Sequence, residues 1–264
     1  MPEQQVTKDG TPIWIQGTGP SLVLVHGVLM DHRMWSQQVV QLTNHFQVVT
    51  YDMLGHGDAP DPPGERSLAD FVAQLENVIE SCGQQPLVLV GFSMGAMVSQ
   101  AFAIRHPDRL RGLVLLNSVY NRNPTERISV RNRLRNLETN GIDDVIEAAR
   151  ERWQTSKERV RFAETISDLM DLMRHGSLSA KTKAYRVFAT GDNEIAGKLR
   201  KVDCPTLIMT GDGDLGSPPH MSAQMAAEVP KSTLIIMPGQ RHLMPVIAST
   251  AVNDTIVEFE KTLS

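Results

Sequence analysis

The stretch Leu87-Val88-Leu89-Val90-Gly91-Phe92-Ser93-Met94-Gly95-Ala96, followed by Met97 to Arg105, decides the fold. The apolar run Leu87 to Val90 reads as a buried strand, and Met97 to Arg105 as a helix. Between them stands Gly-x-Ser-x-Gly, which in strand–turn–helix context forms a nucleophile elbow. A serine on so sharp a turn has its hydroxyl pushed clear of the sheet. Side chains two residues before and after it would collide with the neighbouring strand and helix, so Gly91 and Gly95 occupy those places. The helix start also points free N–H groups and its positive dipole end at the serine, favouring negative charge there. Taken alone, the five residues are a weak signal and fit a plain turn with a capping serine better. The flanking elements and the partners elsewhere in the chain favour the elbow.

Outward from this point the chain keeps one rhythm. Ile13 to Ile15, Leu22 to Val25, Val48 to Tyr51, Leu113 to Leu116, Thr206 to Thr210 and Leu234 to Met237 read as strands. Helices are expected over Met34–Leu42, from Ser67 to about Ser81, over Met221–Glu228 and over Val252–Leu263. Alternating strands and helices predict a mainly parallel sheet covered on both faces, with ligands bound beyond the carboxyl ends of the strands. From about Arg122 to Leu199 the rhythm stops. No β run is visible there, and Val145–Trp153 and Val160–Met173 have helical patterns. The expectation is one α/β core domain, residues 1–121 and 200–264, carrying a helical cap, residues 122–199.

The chain's 264 residues, 41% hydrophobic and 21% charged, suffice for such a core. A net charge of -4 offers no reason to expect a nucleic acid or an anionic membrane as partner. Cys82 and Cys204 form no disulfide framework and read as reduced, buried thiols. Met1 to Gln5 lacks the basic and apolar regions of a secretory signal, and no apolar run is long enough to span a membrane. The expectation is a cytoplasmic protein acting on a small molecule.

A serine hydroxyl is a poor nucleophile without a base. Of eight histidines, His242 is the best placed, in a glycine-bearing loop after the last strand. The base needs a carboxylate to hold its tautomer. Thr210-Gly211-Asp212-Gly213-Asp214 follows a strand and offers two. A flexible Gly211-Asp212-Gly213 turn would bring Asp214 nearer His242 and leave Asp212 to cap the turn. An oxyanion hole needs two N–H donors. Met94, which follows the serine, supplies one, and Val28 in the loop His26-Gly27-Val28 is expected to supply the other. Gly27 lets that backbone approach a substrate closely. His26, Ser93, Asp214 and His242 all fall just after strands, so all are expected at one sheet edge. Nothing in the spacing of His, Cys, Asp and Glu indicates a metal, and no phosphate loop or dinucleotide fingerprint indicates a cofactor.

Nearly the whole chain resembles the α/β-hydrolase superfamily. The resemblance is carried by His26-Gly27, Trp35, Asp52-Met53-Leu54-Gly55-His56-Gly57-Asp58, the elbow, His106-Pro107-Asp108-Arg109-Leu110, Pro205-Thr206-Leu207-Ile208, Gly211 with Asp214, and Arg241-His242. It implies a nucleophile, acid and base in the chain order Ser93, Asp214, His242, with the acid three residues after Gly211. Within the superfamily, Gly91 to Gly95 and Glu151-Arg152-Trp153 are similar to 3-oxoadipate enol-lactonases and small carboxylesterases. Ala96, and Leu243-Met244-Pro245 after His242, depart from that branch. The expected activity is hydrolysis of an ester or lactone through an acyl-enzyme. The alternatives are hydrolysis of a carbon–carbon bond in a vinylogous diketone and a hydrolase-like receptor. In the cap, Trp153 either walls the pocket or pins the cap to the core. Arg127, Arg131 and Arg135 share one helical face at four-residue spacing. That face either receives a substrate carboxylate or is simply solvated.

Overall fold

The computed structural model describes residues 3–83 and 86–263. Met1 and Pro2, part of the N-terminal stretch considered above, lie outside the described residues. Eight strands form one sheet: β1 (Glu3–Val6), β2 (Pro12–Gln16), β3 (Ser21–Val25), β4 (Gln47–Tyr51), β5 (Leu87–Phe92), β6 (Leu110–Leu116), β7 (Thr206–Gly211) and β8 (Ser232–Met237). Their spatial order is β1-β2-β4-β3-β5-β6-β7-β8. The pairs β1–β2 and β2–β4 are antiparallel, and all the others are parallel. The Val/Leu-rich runs of β3 and β5 are buried along their whole length, as strands covered on both faces must be. Parallel pairing sets Val25 of β3 opposite Gly91 of β5, so His26-Gly27 emerges beside Phe92-Ser93.

The helices α1 (Ser36–Leu42), α2 (Leu68–Ser81) and α3 (Met94–Arg105) follow β3, β4 and β5. Ser67 and Asp70 start α2 with a reciprocal capping box. Helix α3, apolar on almost every side, is buried from Met94 to Ala103, which is why it shows no one-sided pattern.

Between β6 and β7 the described chain is entirely helical in its regular structure: α4 (Pro124–Asn140), α5 (Ile142–Trp153), α6 (Ser156–Arg161), α7 (Ala163–Arg174), α8 (Leu178–Thr190) and α9 (Asp192–Ile195). Asn123 and Glu126 box the start of α4, with Pro124 at its first position. A buried pair joins the two ends of this segment. Arg122 Nη1 lies 2.7 Å from Asp192 Oδ1, and the Arg122 guanidinium stacks over the Phe188 ring. The chain closes with α10 (Pro219–Glu228), α11 (Met244–Ile247) and α12 (Ser249–Lys261).

Three local features differ from the sequence pattern. The single helix expected over Val160–Met173 is broken at Phe162, whose φ of -117° and ψ of 31° leave helical geometry. A capping box of Thr155 with Glu158 starts α6 independently of α7. Strand β1 has no apolar alternation because all four of its residues are exposed at the sheet edge. The last helix begins earlier than Val252, at Ser249, with α11 directly before it.

Candidate active site

Ser93 closes β5 with φ 54° and ψ -112°, a left-handed conformation rare for a residue with a side chain. The glycines around it are there because of contact. A Cβ on Gly91 would sit 2.6 Å from Ala96 Cα and Ser99 Oγ, and a Cβ on Gly95 would run into the carbonyls of Val25 and His26. A Cβ on Gly27 would meet the Phe92 ring at 2.9 Å and come within 3.5 Å of Ser93 Cβ. Leu29, at the turn after β3, and Asn117, after β6, also have positive φ, 67° and 48°. Strained backbone of this kind persists where the surroundings over-determine it, commonly at functional sites.

The three residues expected to act together do meet. Ser93 Oγ lies 3.2 Å from His242 Nε2, and His242 Nδ1 lies 2.8 Å from Asp214 Oδ2. Nδ1–H therefore donates to the carboxylate, and Nε2 is left to accept the serine proton. Asp214 Oδ1 accepts the backbone N–H groups of Gly216 and Ser217 at 2.7 and 3.0 Å. Its Oδ2 accepts Asn117 Nδ2 and Ser217 Oγ, each at 2.8 Å, in addition to the imidazole. Burial pushes the Asp214 carboxyl up, but the His242 charge and the hydrogen bonds from His242, Asn117 and Ser217 outweigh it and hold it below the usual carboxylate range. Asn117 and Ser217 were not singled out from the sequence. The available signal was position: Asn117 directly follows the strand beside the elbow, and Ser217 stands three residues after the acid. Asp212 has a different neighbour, since its Oδ1 accepts the Gly239 N–H at 2.8 Å and so ties the two loops after β7 and β8.

Val28 lines the same cavity as Ser93, and Met94 opens α3, where first-turn amides have no intrahelical partner. Two neutral imidazoles brace the turn carrying Val28. His26 Nε2 accepts the Met53 N–H at 2.8 Å, and His56 Nε2 accepts the Leu29 N–H at 3.0 Å. His26 thus sits at the sheet edge as expected but points into this brace, away from Ser93. Burial pushes both rings down, His56 to about 3.

The cavity over Ser93 is small, about 30 Å³, and its lining includes Val28, Leu29, Trp153 and His242. Trp153 forms one wall, its ring 5.3 Å from the His242 ring. The loop bearing His242 is fastened to that wall: Arg241 Nη1 donates to the carbonyls of Glu151 and Gln154, both at 2.9 Å. A cation at the carbonyl end of α5 suits the helix dipole. The expected arginine face is elsewhere. Arg127 is bonded to Asn193 and lies 3.7 Å from Asp192, and Arg131 is exposed; neither lines the cavity. Arg133 and Arg152 line it, together with Tyr185 and Phe188. The four-residue spacing identified a helical face correctly but gave no side for it. At 3.6 residues per turn, Arg133 projects nearly opposite Arg131.

Among the described residues, one group of potential metal ligands lies close together: Asp31, His32 and Asp52. Spacing along the chain did not reveal it. Its carboxylates already serve the protein, Asp31 pairing with Arg33 and Asp52 accepting from His32 and the Asp58 N–H.

Residues 22–255 match the model of the alpha/beta hydrolase family. The chain is 32% identical over 247 residues, 94% of its own length and 92% of the relative's, to an (E)-2-((N-methylformamido)methylene)succinate hydrolase from Acinetobacter baylyi. An enol-lactonase from Burkholderia xenovorans superposes with a TM-score of 0.88 over 98% of this chain and all of its own, at 22% identity. A thermophilic esterase from Thermogutta terrifontis, solved with malate bound, gives a TM-score of 0.83 at 26% identity, covering 100% of this chain and 99% of its own.

Proposed function

We propose a serine hydrolase for this chain, which belongs to the alpha/beta hydrolase family. In this reading Ser93 is the nucleophile, His242 the base and Asp214 its orienting acid. The observation that carries it is the continuous Ser93–His242–Asp214 hydrogen-bond chain, whose Ser93 and His242 line a cavity with largely apolar walls. As Ser93 Oγ attacks a carbonyl carbon, its proton passes to His242 Nε2. The imidazolium that forms is stabilised by Asp214. The tetrahedral oxyanion takes the N–H groups of Val28 and Met94. Collapse expels the leaving group, which receives the proton from Nε2, and His242 then deprotonates the water that frees the acyl group.

The scissile bond in this reading is a carboxylic ester or lactone. The helical segment of residues 122–199 acts as a cap that selects the acyl group, with Trp153 as a wall of the acyl site. A second reading, cleavage of a carbon–nitrogen bond in an unsaturated acid, is favoured by the formamido substrate in the name of the relative from Acinetobacter baylyi. The same three residues serve both, since each reaction begins with attack on a carbonyl carbon.

The test is covalent trapping. Phenylmethylsulfonyl fluoride should label Ser93, located by peptide mass spectrometry, and stop 4-nitrophenyl ester turnover in proportion. Ser93→Ala should escape labelling and lose on the order of 10³-fold or more in kcat. Near-normal turnover by a pure Ser93→Ala protein ends the nucleophile assignment.

A further inference from the structure

The cavity over Ser93 contains two positive charges that the reaction does not use. Arg133 reaches it from α4, and Arg152 from the last turn of α5. Arg133 Nε donates to the Tyr185 hydroxyl at 3.3 Å and its Nη1 to Ser129 Oγ at 2.8 Å. Arg152 Nη1 donates to the Ala148 carbonyl at 2.9 Å. Among the described residues, neither guanidinium is ion-paired with a carboxylate. Other arginines nearby are paired with acids: Arg122, just before α4, and Arg127 share Asp192, and Arg150 pairs with Glu147. The acid closest to the reaction, Asp214, already has its oxygens occupied by His242, Asn117, Ser217 and Gly216.

Two unpaired guanidinium groups facing one small cavity repel each other and have lost part of their hydration. Arg152 registers both effects, since burial and then the charge of Arg133 push its guanidinium below the usual range. An anion bound between them would relieve this cost, and a planar carboxylate matches the guanidinium fork. The remaining walls, including Val28, Val145, Trp153 and Phe188, are apolar and suit a short carbon skeleton.

We propose that Arg133 and Arg152, with the Tyr185 hydroxyl beside them, form a carboxylate subsite, so that the substrate carries a free carboxylate besides the carbonyl attacked by Ser93. This rests on the serine-hydrolase reading for its kinetic arm but not for its binding arm. The sequence left Arg127, Arg131 and Arg135 as either a carboxylate site or a solvated face. The structure moves the proposal to the opposite side of α4 and adds a second helix.

The kinetic arm compares mono-4-nitrophenyl glutarate with 4-nitrophenyl pentanoate, which have acyl chains of equal length and differ in the terminal carboxylate. Wild-type enzyme should favour the glutarate in kcat/KM by about 10-fold or more, chiefly through KM. Arg133→Gln and Arg152→Gln should each reduce that ratio by about 10-fold to 100-fold, as loss of a charged hydrogen bond does. Arg152→Lys should recover part of it. A wild-type ratio near unity, or a ratio unmoved in both glutamine variants, overturns the subsite. The binding arm titrates succinate into wild-type protein by calorimetry. Binding that weakens in both variants supports the subsite even where neither ester is hydrolysed, a result that would count against the hydrolase reading alone. Absence of succinate binding at millimolar concentration, or tighter binding of inorganic phosphate at the same arginines, overturns the carboxylate assignment.

Discussion

The two sides of the cavity are built by opposite means. On the sheet side, Ser93, Asp214 and His242 are 3%, 2% and 4% exposed, Ser93 and Asp214 are fixed by backbone, and the His242 ring is held between their side chains. Ser93 sits in a strained turn between glycines that admit no side chain, and Asp214 accepts two backbone N–H groups. On the helical side, Arg133 and Arg152 are only half-buried, on long side chains anchored to a hydroxyl or a carbonyl. The first arrangement resists change and suits a step in which reacting atoms must be aligned closely. The second can be altered without disturbing the sheet. On the proposed reading the chemistry belongs to the core and the choice of acyl group to the helices, and Arg241 ties the His242 loop to α5 between them.

The division can be broken first at the carboxylates after β7. Asp214→Asn keeps the shape but presents an amide where Nδ1–H needs an acceptor. By analogy with the serine-protease triad it should lose about 10⁴-fold in kcat. Asp212→Asn disturbs only the bond to Gly239 and should cost mainly melting temperature. Measuring kcat and melting temperature on both variants checks the assignment. The reverse pattern would give the orienting role to Asp212.

A smaller effect tests whether rigidity resides on the sheet side. His56 is neutral in the fold, pushed down from 6.5 to about 3 by burial and then by His26 and Lys181. The unfolded chain binds a proton at this ring below about pH 6.5, and the folded chain does not. Stability from this group is therefore full above that pH and falls as the pH drops towards 3. Between about pH 7 and about pH 4.5, His56 should account for roughly 3 kcal/mol of lost stability. His26, also pushed down by burial, adds in the same direction. Urea unfolding at both pH values should show a flatter dependence for His56→Gln. Equal slopes in wild type and His56→Gln would contradict the brace.

The smallest expected effect sharpens the split within α4 itself. Arg131→Gln, on the exposed face, should shift the glutarate-to-pentanoate ratio by less than about twofold, within the range for exposed charges. A change as large as that of Arg133→Gln would return the acyl preference to the outer face.

Much of the sheet side was legible before any coordinates. Strand runs, the glycines flanking Ser93 and a histidine after the last strand are local patterns, and taken together they favour one reading. The serine hydroxyl has one place to point once Gly91 and Gly95 force the turn. The N-terminal strand and the division of Val160–Met173 were not legible. An edge strand with both faces in water carries no apolar alternation, and one residue leaving helical geometry leaves a helical periodicity intact on either side.

The sequence by itself determined the mainly parallel sheet, the strand–turn–helix at Ser93 and the helical segment between β6 and β7. Each depends on contacts near in sequence or on burial patterns with a fixed period. Only the tertiary structure decided which side of α4 faces the cavity, and that Asn117 and Ser217 complete the shell of Asp214. It also brought Arg133 and Arg152, from separate helices, to one cavity. Helical spacing states which residues share a face. The direction of that face is set by how the helix packs, and packing is a property of the whole chain.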